Sequence, residues 1–177
     1  MERLEFKQNP TEIFEQLLPL LGEQLKCDRV FLYLRSPRYH LGRVSFCWRK
    51  NENIPLINDP DWKAESSSLA SRDPLFAAAL KGRPSVFVKD VETASPAVVN
   101  RDFERQTFGH RALIHAHLCQ GPRLWGILQP CVFDHPRPWR WTDRLLMKRT
   151  VSQITPLAVV YVNSTLHDAI KAGHHDC

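Results

Sequence analysis

No stretch of the 177-residue sequence approaches the roughly 20 apolar residues that a membrane-spanning helix needs. The opening residues, MERLEFKQNP, lack the apolar centre of a secretory signal. The chain is therefore expected to stay in the cytoplasm. Its five cysteines, Cys27, Cys47, Cys119, Cys131 and Cys177, form no C-x-x-C pair and are odd in number, which fits free thiols in a reducing compartment. No internal repeat and no second domain is visible. The length suits a single domain over 1–163, with its core at about 10–163 and a flexible tail over 164–177. Charge is not one-sided either. Lys and Arg total 24 against 19 Asp and Glu, so the net charge of +5 permits an acidic partner without requiring one.

What is present reads as helices and alternating strands. Asn9-Pro10 starts a helix whose apolar face carries Phe14, Leu17, Leu18, Leu21 and Leu25, with Pro19 expected to kink or split it. In DRVFLYLR, residues 28–35, Val30, Leu32 and Leu34 point one way and Phe31 and Tyr33 the other. Residues 43–50 form a strand that pairs with it. Residues 51–72 read as one long loop, functional or mobile. A short helix over 73–82 is capped by Asp73, a strand covers 84–91, and a helix covers 96–109 with Asp102 and Glu104 as surface charges. Thr142 caps the last helix. There Met147, Val151, Ile154, Ala158 and Tyr161 form a narrow seam suited to another helix, and Pro156 should bend the chain. The tail AGHHDC reads as a frayed end rather than a metal site. The element order gives an α+β fold in which terminal helices cover one face of an antiparallel sheet.

The hairpin over 110–133 divides by register. With the turn centred on Gly121, so that Leu118 faces Leu124, one face collects Ala112, Ile114, Ala116, Leu118, Leu124, Gly126, Leu128 and Pro130. The other collects Leu113, His115, His117, Cys119, Trp125, Ile127, Gln129 and Cys131. The first is apolar and should lie under the helices. The second is a candidate ligand-pocket wall, with Leu113, His115, His117, Trp125, Ile127, Gln129 and Cys131 as ligand-binding residues. Pro130 disturbs a central strand and marks a bulge or the end of pairing. His115, His117 and a cysteine could bind zinc, but strand alternation alone brings such residues together, so no metal site is assigned. RPWRWTDR places Trp139 and Trp141 among Arg137, Arg140 and Arg144, a pattern able to stack bases. Its plainer meaning is a tryptophan staple for the last helix, so nucleic acid is not the expected partner.

The segments CDRVFLYLR, DPLFAAALKGRPSVFVKDVE and GHRALIHAHLCQGPRLWGIL, followed by a long helix, resemble a GAF domain over roughly 10–163. The LWGIL hairpin is similar to the phytochrome and cyanobacteriochrome branch, a cyanobacterial type. The resemblance implies a twisted antiparallel sheet with terminal helices on one face and a ligand pocket on the other. It also implies dimerisation through the terminal helices, which the seam at Met147–Tyr161 would serve. Bilin-binding members of that branch have a Cys-His pair before the glycine matching Gly109; here Asn100-Arg101 stands there. The histidine after the LWG strand falls on Cys131, and NENIPLIN keeps only Ile54-Pro55 of the Asp-Ile-Pro motif. A covalent bilin at the usual cysteine is therefore not expected. The acidic pair of the cyclic-nucleotide signature is missing after Phe103, and no kinase, cyclase or DNA-binding segment fits into this chain.

The expectation is a stand-alone sensory or regulatory module with no catalytic residue and no output domain of its own. It would bind a small molecule of unknown identity and act through a protein partner, with a second copy of itself as a homodimer partner. The alternatives are an adaptor or assembly factor with a filled pocket, a noncovalent or atypically attached tetrapyrrole binder, and a thiol-dependent enzyme using Cys119 or Cys131 beside His117.

Overall fold

The structure is a computed structural model that describes residues 9–172. Six strands form one antiparallel sheet in the order β3-β2-β1-β6-β5-β4. They are β1 (Arg29–Ser36), β2 (Leu41–Arg49), β3 (Lys63–Ala64), β4 (Val86–Val88), β5 (Ala112–Gln120) and β6 (Arg123–Val132). The helices are α1 (Pro10–Leu25), α2 (Leu69–Arg72), α3 (Pro74–Leu80), α4 (Arg101–Thr107) and α5 (Trp141–Ala172).

Helix α1 begins as the sequence predicts: the Asn9 side chain accepts from the Thr11 amide, and Pro10 opens the first turn. Pro19 does not split it, since the helix runs unbroken to Leu25. Its face of Phe14, Leu18, Leu21 and Leu25 packs on Val30, Leu32 and Leu34 of β1 and on Ala112, Ile114, Ala116, Leu118 and Leu128 of the hairpin. Helix α5 lies in the same layer. Met147, Ile154 and Ala158 of the expected seam are buried there, with Val151 and Tyr161 packed at its margin. Tyr161 also meets Phe14 and Phe46 edge-on and bonds to Arg43 at 2.7 Å. Of the two roles open to the seam, packing within the chain or against a second copy, these residues take the first, lying on the chain's own sheet and α1.

Helix α5 starts at Trp141 and passes through Pro156 without a break. Thr142 is inside it; the side chain that folds back over the first turn is Asp143, accepting from the Arg140 amide at 2.9 Å. The helix also continues past 163 to Ala172 with Leu166 in the core, so residues 164–172 are not the flexible tail expected. The histidine-rich end beyond 172 lies outside the described residues.

The hairpin corrects the predicted register by two residues. Leu118 pairs with Gly126, Ala116 with Leu128 and His117 with Ile127, a shift that leaves the facing sets unchanged over most of the length. Near the turn the ladder slips by one, because Cys119 pairs with Leu124 and Gln120 with Arg123. Trp125 is the extra residue of a β-bulge. The bulge exchanges two neighbours. Leu124 turns to the second face with Phe76 and Ile127, while Trp125 packs on the helix-covered core. The β5–β6 ladder also has no partnered pair at Ile114–Pro130 or His115–Gln129, since Pro130 brings no N–H to it.

Other boundaries tighten. The strand expected over 84–91 is three residues, β4. The helix expected over 96–109 is α4, capped by Asn100. The predicted loop 51–72 contains β3 and α2, and it folds down over the second face.

Gly126 sits beside the bulge with its Cα pressed on β1. A Cβ there would lie 2.6 Å from the Tyr33 backbone oxygen, in the middle of the sheet where neither strand can yield. Gly126→Ala is expected to cost about 1–3 kcal/mol of unfolding free energy, as overpacking usually does, measured by urea denaturation.

Candidate functional site

The second face carries Leu113, His115, His117 and Cys119 of β5, Leu124, Ile127, Gln129 and Cys131 of β6, and the Phe31 and Tyr33 side of β1. No long helix covers it. Its cover is α2, α3, α4 and the chain between β2 and α2. Two buried arginines tie that chain down. Arg35 forms a two-pronged ion pair with Glu65, at 2.6 and 2.7 Å, and Tyr33 donates to the same carboxylate at 2.8 Å. Arg29 is wholly buried and faces no carboxylate among the described residues. It donates to the carbonyls of Pro55 and Phe108 and lies against the rings of Phe133 and Phe31.

Between this cover and the sheet lies a cavity of about 110 Å³. Phe31 and Tyr33 of β1 and Val44 of β2 form one wall. Asp73 and Phe76, from the start of α3, and Leu69 of α2 form the second. Phe103 and Glu104 of α4, with Phe108 just beyond it, form the third. The floor is His115, Ile127 and Gln129.

Of the seven ligand-binding residues predicted from alternation, three therefore line the cavity: His115, Ile127 and Gln129. Leu113 and Cys131 lie on the same face but are fully buried in an adjoining apolar cluster with Phe31 and Val99. His117 stands behind His115. Trp125 is on the opposite face because of the bulge. Phe31 and Tyr33 were visible as the second side of an alternating strand. Asp73 was visible only as a helix cap, a role it keeps by accepting from the Leu75 amide at 2.9 Å. Glu104 is the clearest miss. Helical sequence reads it as a surface charge, as Asp102 is, whereas it is 1% exposed.

Two histidine systems border the cavity, in opposite protonation states. His117 Nδ1 lies 2.8 Å from the Arg83 carbonyl, which can only accept, so Nδ1 carries the proton. His117 Nε2 must then accept, and it does so from His115 Nδ1 at 2.9 Å. Both rings are neutral: burial pushes both pKa values down, and the neighbouring His117 adds to the effect on His115. The tautomers follow. His115 Nε2 is left as an acceptor with no protein partner among the described residues. This pairing also explains why the H-x-H spacing makes no metal site, since three of the four ring nitrogens are engaged. No group of three or more His, Cys, Asp or Glu is arranged to hold a metal ion among the described residues.

His110 behaves the other way. Its Nε2 lies 2.7 Å from Glu104 Oε2, with both side chains out of contact with water. Burial alone would strip the proton, but the Cys131 sulfur and the Glu104 carboxylate hold it, and the pKa rises to about 9. Asp73, buried and close to Glu104, is pushed up to about 6, by burial first and by the Glu104 charge second. Gln129 completes the site. It is 3% exposed, its Nε2 is sealed from water, and no described group hydrogen-bonds to its amide.

The remaining sequence motifs do not converge here. Trp139 donates to the Val88 carbonyl at 3.0 Å and staples the start of α5, as its plainer meaning predicted. Arg137 and Arg144 stack on Trp139 and Phe87, while Trp141 is exposed. Burial raises the Cys119 and Cys47 thiols, the opposite of what activates a cysteine nucleophile.

The folded-state pKa of His110 exceeds the ordinary value of about 6.5. Its protonation therefore contributes stability that is complete below pH ~6.5 and is lost as pH rises through about 9. Glu104→Gln is expected to cost about 3 kcal/mol at pH 6, as breaking a buried pair does, and to flatten this alkaline loss, read from urea curves between pH 6 and pH 10.

The GAF domain profile matches residues 9–155. No curated protein matches the chain closely enough to count as a relative. Among solved structures, the chain is similar to the photoproduct state of GAF3 from Slr1393 of Synechocystis sp. PCC6803, at 24% identity and a TM-score of 0.65, over 90% of this chain and 98% of that one. It is similar also to the blue-light absorbing form of the Thermosynechococcus elongatus PixJ GAF domain, at 20% identity and a TM-score of 0.66, over 95% and 94%. A third is the far-red absorbing dark state of JSC1_58120g3 with bound biliverdin IXa, at 14% identity and a TM-score of 0.64, over 85% and 89%. At these identities the likeness is one of fold.

Proposed function

The chain belongs to the GAF domain family, and from that premise we propose that it is a sensory or regulatory module that binds a small molecule in the cavity under α2–α4. The observation that carries this reading is the unpaired amide of Gln129, buried on the floor of a cavity with aromatic walls. A buried amide without partners costs about 1–3 kcal/mol, so its retention favours a ligand that completes it. A cavity fully plugged by side chains, as an adaptor would have, leaves that cost unrelieved. The module acts through a protein partner, a second copy included, with the exposed Leu20 of α1 and Leu145 and Val160 of α5 available for contact.

A tetrapyrrole does not suit these residues. The cavity of about 110 Å³ is well below the ~300–1,000 Å³ of pockets that hold drug-sized ligands, and no cysteine lines it. Asn100 is occupied in capping α4 and in donating to the Arg72 carbonyl. Incubation with biliverdin is expected to leave no visible absorbance in the denatured protein; absorbance that survives denaturation would mean covalent attachment elsewhere.

The cavity reading itself is tested by NMR with a mixture of water-soluble fragments the size of a small ring. Shifts should be confined to residues around His115, Ile127 and Gln129 and should vanish in Val44→Phe, which fills the space from β2. A mixture that moves none of these resonances would overturn the proposal.

A further inference from the structure

The cavity's polar groups are one-sided in a way that identifies the charge of its ligand. No lysine or arginine lines it. The Glu104 carboxylate is already matched by His110, but Asp73 has no such partner. It is 7% exposed, accepts from the Leu75 amide and forms no ion pair among the described residues. His115 adds a lone pair, because the Arg83 carbonyl and His117 dictate its tautomer. Gln129, whose side-chain amide has no described hydrogen-bond partner, can offer its oxygen as an acceptor, because no hydrogen bond fixes which way the amide is turned. The walls add the apolar rings of Phe31, Phe103 and Phe108, with Phe108 stacked on both Phe31 and His110.

We infer that the cavity takes a small alkylammonium cation, its N–H groups shared between Asp73, His115 Nε2 and the Gln129 oxygen and its alkyl part against the phenylalanine rings. The inference rests on the small-molecule reading above and specifies its chemistry. Each feature acts in the same direction. A desolvated carboxylate without a counter-ion is costly, and a bound cation removes that cost. An anion would meet two carboxylates and no basic side chain, which excludes nucleotides and small organic acids. A neutral guest would leave Asp73 unmatched. The volume of about 110 Å³ is well below that of drug-sized pockets and restricts the guest to the scale of a short branched amine.

The groups facing Asp73 set the pH behaviour. They are Glu104 from α4 with its His110, His115 from β5 and Tyr33 from β1; the adjacent Arg72 is exposed and stacks on Phe103. Because burial and Glu104 raise Asp73 to about 6, cation binding should weaken as pH falls below that value.

The test is an NMR or calorimetric titration of the intact chain with isobutylammonium, isobutanol and isobutyrate, three probes of similar shape and different charge. Isobutylammonium is expected to bind at least ~10-fold more tightly than isobutanol at pH 7.5, and isobutyrate not at all. Asp73→Asn keeps a side chain that caps helices equally well. It should abolish the preference for the amine over isobutanol. The wild-type preference should also disappear below pH 6, a readout that needs no variant. Equal or tighter binding of isobutanol, or a preference that survives both Asp73→Asn and acid, would overturn the assignment of charge while leaving the cavity a ligand site. If neither probe moves the cavity resonances, the small-molecule reading falls with it.

Discussion

Everything in this fold follows from the burial of the three central strands on both faces. Along β1, β6 and β5 nearly every side chain is removed from water, whichever way it points. Such a sheet has no solvated side and must be covered twice. The long helices α1 and α5 cover one face with a continuous apolar layer that includes the whole α5 seam. The other face receives only short helices and irregular chain, which cannot match a pleated surface as densely as a long helix does. The cavity is what that cover leaves open.

Holding irregular chain over an apolar face requires polar anchors, and these must themselves be satisfied. Arg35 and Glu65 do this as a buried, doubly bonded pair, with Tyr33 adding a third bond from the sheet. Arg29 does it without a carboxylate, donating to the carbonyls of Pro55 and Phe108 while phenylalanine rings flank its guanidinium. Two segments far apart in sequence are thereby held to one strand. The same logic sets the histidines apart. His110 faces a carboxylate and keeps its proton, whereas His115 faces another imidazole whose proton is already committed to the Arg83 carbonyl, and stays neutral. A wall of the cavity thus holds a compensated charge beside a bare acceptor.

How much of this was legible in the sequence depended on whether local pattern or distant contact decided it. Alternation in DRVFLYLR and in the hairpin separates the two faces correctly, because a strand turns successive side chains to opposite sides whatever it pairs with. His115, Ile127 and Gln129 were found in that way. Trp125 and Leu124 were not, since a one-residue bulge exchanges their faces, and its position depends on how β6 packs against β1 at Gly126. The seam on α5 was legible as a packing surface, with its partner left open between the chain itself and a second copy. A helix-spaced stripe says that something apolar covers it, and cannot say whether that is the chain's own sheet or another molecule.

The sequence by itself determined the caps, the strand alternation and the order of elements, which is why the α+β sheet with helices on one side could be anticipated and the family resemblance noticed. All of these rest on interactions within a few residues. Tertiary structure alone decided that Glu104 is buried against His110, that Arg29 reaches the carbonyls of Pro55 and Phe108, and that Asp73 shares a cavity with Gln129. Those side chains come from different strands, helices and loops, and their charge states depend on which of them meet out of water. The spacing of His115 and His117 shows the division well: strand geometry places the two imidazoles side by side, but the carbonyl of Arg83, brought up from a distant loop, decides which nitrogen is left to face a ligand.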